Sequence, residues 1–114
     1  MARRRTFSKV VTDSGDFLGL PLSSQCLYFH LGLHADDDGF ITNPDVIQRA
    51  VGAAATDTEN LVQAGFIIRF SSGIAVITHW QAQNSIQKDR YIPTKHIKER
   101  DLLKCDQNKA YILD

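Results

Sequence analysis

The stretch from Thr56 to Thr78 constrains the fold most, because the spacing of its apolar residues changes from helical to extended partway along. Thr56 is a predicted N-cap, and Glu59 stands three residues later, where a carboxylate can complete a capping box. Gly65 stands where a left-handed glycine commonly ends a helix. We therefore predict a helix from Thr56 to Ala64.

The residues after this helix follow the two-residue period of a strand. One face carries three large apolar side chains, and the other carries Ile67 and Arg69. The three apolar side chains are Phe66, Ile68 and Phe70. Residues 71–73 can form a tight turn, and the β-branched residues of 74–78 favour a returning antiparallel strand. Such a hairpin is not stable alone in water, so it must pack on helices.

The earlier part of the chain can supply those helices. Residues 24–34 form one predicted helix, preceded by a hydrophobic staple between Leu22 and Leu27. One predicted stripe consists of Cys26, Phe29, His30 and Leu33, with Leu27, Tyr28 and Leu31 beside it, so the helix is expected to support the core. Asn43 as N-cap and Pro44 at the first helical position start a second helix. The inward stripe predicted for it consists of Val46, Ile47, Ala50 and Val51.

Two short segments complete the predicted order of elements. Residues 36–39 form a predicted solvated turn, and residues 40–42 form a small strand beside the hairpin. The predicted order of elements is helix, strand, helix, helix, strand, hairpin turn and strand. This order predicts an α+β fold, a winged helix-turn-helix with a C-terminal extension.

The predicted domain organisation has two parts. The winged-helix domain and its short N-terminal arm cover residues 1–80, and a basic C-terminal extension, residues 81–114, packs on the same domain. Within the extension we expect a helix over residues 95–104 with Ile97 and Leu102 inward, followed by an extended segment at residues 111–113.

Charge is unevenly distributed along the 114 residues, although thirteen basic and thirteen acidic side chains cancel overall. The first 65 residues carry a net charge of about −3 and the remainder about +3. Cys26 and Cys105 form no CxxC pair, and no secretory signal pattern follows the basic start of the chain. We expect a cytoplasmic protein with reduced thiols and no membrane span.

Two stretches of the chain resemble a known family. LSSQCLYFHLGLHADDDGFITNP and HWQAQNSIQKDRYIPT are similar to the N-terminal domain of phage and prophage replisome organiser proteins, which are related in architecture to DnaD-like replication initiators. The resemblance spans Arg3 to about Tyr111. It implies a winged-helix domain that binds DNA, helps to open or mark a replication origin and recruits helicase-loading proteins. Members of that family often carry a further C-terminal domain.

The predicted recognition helix at residues 56–64 is acidic, with Asp57 and Glu59 and no Lys or Arg. Its side chains that can hydrogen-bond base edges are Thr58, Asn60 and Gln63. An equal alternative is that this helix faces solvent or a protein partner. The candidate phosphate contacts therefore lie elsewhere, because phosphate neutralisation dominates affinity. They are Arg3, Arg4, Arg5, Lys9, Arg69, Lys88, Arg90, Lys95 and Lys98.

Two of these groups have a structural alternative. The basic arm at residues 3–5 also fits a disordered, solubilising end of the chain. Tyr91 can stack on a base of single-stranded DNA, or it can pack on the core with one hydrogen bond while Asp89 caps the chain locally.

No metal, cofactor or catalytic site is expected. Cys26, His30 and His34 recur every four residues on one helix, but no fourth ligand accompanies them. No nucleophile, phosphate-loop or HExxH motif occurs, so the chain is not expected to be an enzyme.

Three functions remain open at the level of sequence. The first is a DNA-binding module in replication initiation, contacting duplex DNA, single-stranded DNA or both. The second is a protein-interaction module that forms homo-oligomers or docks a helicase loader. The third is a transcription repressor on the same scaffold.

Overall fold

The computed structural model describes residues 4–114, and in that range helices and short strands mix as an α+β domain. The α+β prediction is thereby confirmed. The elements are α1 (Lys9–Thr12), α2 (Gly15–Leu18), α3 (Leu22–His34), β1 (Phe40–Ile41), α4 (Pro44–Ala50), α5 (Ala55–Gln63), β2 (Ile67–Arg69), β3 (Ala75–Ile77), α6 (Trp80–Gln83), α7 (Ile97–Arg100), β4 (Leu103–Cys105) and β5 (Tyr111–Leu113).

A three-stranded antiparallel sheet holds the predicted hairpin. Its strand order is β1-β3-β2, so β3 is central and β1 pairs with it through Phe40 and Val76. The turn between β2 and β3 is closed by Gly73, whose φ of +91° is a left-handed conformation that suits glycine. The hairpin and the small strand at residues 40–41 are confirmed.

Both faces of this sheet are buried, which the alternating pattern does not reveal. Phe40, Val76 and Ile68 share one face by register. On that face the Phe40 ring lies near the rings of Phe70, His96 and Tyr111. On the opposite face, Ile67 is buried beside its cross-strand partner Ile77. The C-terminal segment thus covers the face that would otherwise meet solvent.

The two predicted helix stripes are correct only in part. In α3 the buried apolar side chains are Leu27, Tyr28 and Leu31, whereas Cys26 and Leu33 are exposed. In α4 the buried residues are Pro44, Ile47 and Gln48, so Ile47 of the predicted stripe is confirmed, whereas Val46, Ala50 and Val51 are exposed. Both helices are apolar on more than one side, so periodicity alone does not select the face that packs against α5.

The start of α5 differs from the predicted capping box. The helix begins at Ala55, and Asp57 rather than Glu59 accepts the N-cap N–H, that of Ala54, at 2.9 Å. The other Asp57 oxygen accepts hydrogen bonds of 2.7 Å from the hydroxyls of Ser23 and Ser24 in α3. One buried carboxylate therefore both caps α5 and joins it to α3.

The predicted helix over residues 95–104 is wrong. Only α7, Ile97–Arg100, is helical, and Ile97 and Leu102 are 53% and 54% exposed rather than inward. Residues 103–105 instead form β4, which pairs with β5, the segment correctly predicted to be extended. The reason is the turn at Asp106, whose carboxylate accepts the backbone N–H groups of residues 108 and 110 and folds the chain back.

In the described part of the chain, no helix is long and apolar enough to cross a bilayer. Cys26 and Cys105 are exposed free thiols. Within the same residues, no group of His, Cys, Asp and Glu has the arrangement needed to hold a metal ion.

A substitution at Gly39, which directly precedes β1, tests how tightly the chain packs on Trp80 of α6. Its φ is +91°, and a Cβ there would lie 2.5 Å from Cγ of Trp80. We expect Gly39→Ala to lower the free energy of unfolding by about 2–4 kcal/mol, because backbone strain adds to overpacking. Gly73→Ala is the matched control, since Gly73 has the same φ of +91° with open space around it. Chemical denaturation should show a loss of only about 1 kcal/mol for the control; equal losses would contradict the packing at Trp80.

Asp57 gives a pH-dependent test of the α3 and α5 connection. The hydroxyls of Ser23 and Ser24, followed by the Ala54 N–H, hold the pKa of Asp57 below its ordinary value of 3.8. Its stabilising contribution is therefore complete above about pH 4 and is lost as pH falls through the lowered folded-state pKa. We expect Asp57→Asn to destabilise by roughly 1–3 kcal/mol at neutral pH and to remove part of the acid sensitivity.

The control for this variant is Glu59→Gln, which removes the same charge from an exposed position of α5. Urea denaturation between pH 3 and pH 7 makes the comparison. If the two variants have the same stability profile, the capping role of Asp57 is excluded.

Candidate nucleic-acid interface

The turn at residues 36–38 is buried rather than solvated as predicted. Asp37 and Asp38 are both buried. Asp36 folds the turn, because one of its carboxylate oxygens accepts the N–H groups of Asp38 and Phe40 at 2.9 and 3.0 Å. Two buried carboxylates and the half-buried one of Asp36 therefore follow one another, and the buried pair needs donors from other segments.

Residues 91–94 supply most of those donors. The Tyr91 hydroxyl donates to the Asp38 carboxylate, at 2.7 and 2.8 Å from its two oxygens. The Thr94 N–H donates to Asp38 at 2.8 Å, and the Thr94 hydroxyl donates to Asp36 at 2.5 Å. The Ile92 N–H donates to Asp37 at 3.0 Å. We call this set, Asp36, Asp37 and Asp38 with Tyr91, Ile92 and Thr94, the acidic clasp.

Arg5 completes the surroundings of Asp37 and is not a phosphate contact, contrary to the prediction. Its side chain is 4% exposed and lies 3.4 Å from an Asp37 oxygen, an ion pair without hydrogen-bond geometry. The guanidinium also donates to the Ala35 carbonyl at 2.8 Å and lies over the Trp80 ring, 5.5 Å from its centroid. The Trp80 indole N–H donates to the Asp37 carbonyl at 2.9 Å.

The N-terminal arm beyond Arg5 follows α6. The N–H of Thr6 donates to the Asn84 side chain at 2.9 Å, and that of Ser8 donates to the Gln83 side chain at 2.8 Å. Arg4 and Lys9 are exposed, whereas Arg3 lies outside the described residues. Of the predicted basic arm, Arg4 and Lys9 therefore have side chains that can reach a partner.

The helix predicted to recognise DNA has little to offer a base. Thr58 is 2% exposed, so the prediction that it contacts a base edge is wrong. Asn60 is half-buried and donates to Ser24 at 3.1 Å, which commits it to the α3 contact. Gln63 is exposed, but it pairs with Glu59 at 3.2 Å. The accessible side of α5 is thus short of both cations and free hydrogen-bonding groups.

The remaining predicted cations fall into two kinds. Arg69 lies 2.9 Å from both carboxylate oxygens of Asp45, which neutralises its charge at the start of α4. The others are exposed and, among residues 4–114, have no carboxylate within 4.0 Å. These unpaired cations are Lys88, Arg90, Lys95 and Lys98.

Lys88 lines a groove of about 530 Å³ beside the acidic clasp. Lys109 lines it too, from the turn between β4 and β5, and the partly exposed Tyr91 ring is also at the groove. Sequence reasoning missed Lys109. The signal that could have found it is the Asp106 turn, which reverses the chain and brings residue 109 back towards Lys88.

Lys95 belongs to a different groove. It lines a space of about 330 Å³ together with His34, Thr42 and His96. One His96 ring nitrogen is 2.8 Å from the Thr42 hydroxyl, which fixes the ring beside β1. The predicted group of four cations is therefore distributed over more than one surface feature instead of converging on a single site.

Comparison with protein-family models, with curated proteins and with solved structures finds no match to this chain. The features that bear on function are therefore those of its own residues: an α+β fold with a buried acidic turn, and a groove with two lysines at its side.

The tyrosines provide a spectroscopic test of this arrangement. Burial raises the pKa of Tyr28 to about 12, and partial burial together with the Asp38 carboxylate raises the pKa of Tyr91 to about 12. Burial also raises the pKa of Tyr111. The folded protein should show no tyrosinate absorbance near pH 10, where free tyrosine titrates. Stability should fall as pH rises above about 10, because the unfolded chain releases those protons first. One tyrosine titrating near pH 10 in folded Tyr28→Phe protein would contradict the clasp geometry.

Proposed function

We propose that this chain is a winged-helix DNA-binding module of a phage or prophage replisome organiser. The order α3, β1, α4, α5, β2 and β3, with a β1-β3-β2 antiparallel sheet, supports the winged-helix assignment. In that assignment β2 and β3 form the wing, and α5 takes the position of the recognition helix. The resemblance of residues 22–44 and 79–94 to that family supports the role in replication.

The unpaired cations around Lys88 carry the proposal of DNA binding. Lys88 and Arg90 are exposed, and the chain on either side of them is held by hydrogen bonds of Asn84 and Tyr91. Ordered cations lose less conformational entropy when they bind phosphate than cations on a mobile tail. In this mode the protein binds DNA through the C-terminal segment and through Arg4 and Lys9 of the N-terminal arm, while α5 contributes little to the affinity.

A protein-interaction role is the second candidate, and an apolar surface favours it. Leu22 is 78% exposed and lines a groove of about 320 Å³ with Cys26, His30 and Val51. Leu22 and the exposed Val51 together give this groove contiguous apolar surface, which is typical of a contact with another protein. A helicase loader or a second copy of the chain would be the partner, and this surface is separate from the cations.

Fluorescence anisotropy with duplex and single-stranded oligonucleotides, at two salt concentrations, tests DNA binding. We expect affinity to fall with salt, and the Lys88→Ala, Arg90→Ala double variant to reduce the slope of log affinity against log salt by about 2 for duplex DNA. The matched control is Arg49→Ala, Lys104→Ala, which removes two exposed cations elsewhere. Absence of binding to either form of DNA at low salt would contradict the proposal, as would equal losses in the two double variants.

A further inference from the structure

The groove beside the acidic clasp, called the clasp groove from here, brings two lysines from distant segments to one place. Lys88 follows α6, and Lys109 lies in the turn between β4 and β5, yet both line the same space of about 530 Å³. Neither has a carboxylate within 4.0 Å among the described residues. Two uncompensated cations at one groove attract an anion, and polyanions most strongly.

Lys109 occupies an unfavourable backbone conformation. Its φ is +62°, which makes it the one residue other than glycine with positive φ in the described chain. The turn imposes this conformation, since the N–H of Lys109 donates to the Asp106 carbonyl at 3.0 Å while the Asp106 side chain accepts two further N–H groups. Glycine or asparagine would suit the position better. A lysine held there costs stability, and such strain is typical of a functional position.

Tyr91 adds a rigid aromatic surface to the clasp groove. Its hydroxyl is fixed by Asp38, while the residue remains 38% exposed and lines the groove beside Ile86. A ring whose position is set by a buried carboxylate can stack on a nucleobase with little loss of entropy. Asp37 and Asp38 are also among the residues at the groove, and the charges of their buried carboxylates lie close to it. They repel phosphate from its floor, so phosphates would stay with the lysines and a base would face the ring.

The size of the clasp groove selects the form of nucleic acid. A volume of about 530 Å³ lies within the range of roughly 300–1,000 Å³ that holds one small ligand. One or two nucleotides fit such a space, whereas a base in a duplex is stacked and paired and cannot reach the Tyr91 ring. We propose that the clasp groove binds single-stranded DNA, with phosphates on Lys88 and Lys109 and a base stacked on Tyr91. This proposal rests on the proposed DNA-binding function and adds a strand preference and a site to it.

Lys109→Gly is the most informative variant, because it removes the cation and relaxes the strained turn together. We expect a higher thermal midpoint and, at about 0.1 M salt, an affinity for a short single-stranded oligonucleotide that is about fivefold lower. Its affinity for duplex DNA should be unchanged. The matched control is Lys104→Ala on the same hairpin, because Lys104 pairs with Asp114 and alternates to the other face from Cys105, which lines the groove. This control should bind both forms as the unmodified protein does.

Tyr91 variants separate stacking from folding. Tyr91→Phe loses the hydrogen bond to Asp38 and keeps the ring, so its affinity for single strands should be retained. Tyr91→Leu loses both, and its affinity should fall by roughly fivefold or more below that of Tyr91→Phe. Thermal melting of both proteins confirms that they are folded at the temperature of the titration.

The outcomes distinguish this inference from the proposed function. If the protein binds duplex DNA but Lys109→Gly and Tyr91→Leu leave single-strand affinity unchanged, the groove proposal is wrong and the DNA-binding proposal stands. If it binds neither form at low salt, both are wrong. Tighter binding of an RNA oligonucleotide of the same sequence would overturn the assignment to DNA.

Discussion

The burial of Asp37 and Asp38, next to the half-buried Asp36, is the constraint on which the rest of the structure depends. Carboxylates cannot be buried without donors and compensating charge, and here residues 91–94 supply donors while Arg5 supplies a positive charge beside Asp37. Satisfying these acids therefore brings a late segment and the N-terminal arm to the same turn. The late segment then covers the second face of the three-stranded sheet. Without this segment, that face would be exposed to water.

The same constraint decides which cations can act on a partner. Arg5 and Arg69 have their charges compensated by Asp37 and Asp45, so they stabilise the fold. Lys88 and Lys109 stand at the edge of the acidic clasp without such partners among the described residues. The net charge of zero is thus misleading, because pairing neutralises some cations and leaves others unpaired, two of which, Lys88 and Lys109, line one groove. Function in this domain is better judged from unpaired charge than from total charge.

Several elements that depend on neighbouring residues in the sequence were predicted correctly, whereas the burial that depends on distant segments was missed. The helix ended by Gly65, the hairpin around Gly73 and the strand at residues 40–41 follow from spacing and turn chemistry. The acidic turn at Asp36 to Asp38 was misjudged because its donors lie more than fifty residues later in the chain. For the same reason Thr58 and Arg5 were predicted as DNA contacts, although their burial depends on partners that periodicity does not reveal.

Amide hydrogen exchange at Ile92 and Thr94 tests the role of the acidic clasp most directly. Both N–H groups donate to buried carboxylates, in a segment with little regular secondary structure. If the clasp holds this segment on the domain, these amides should exchange as slowly as that of Ile77 in the central strand. Exchange as fast as at the exposed turn residue Gln107 would show that the late segment is not held, and would contradict the account.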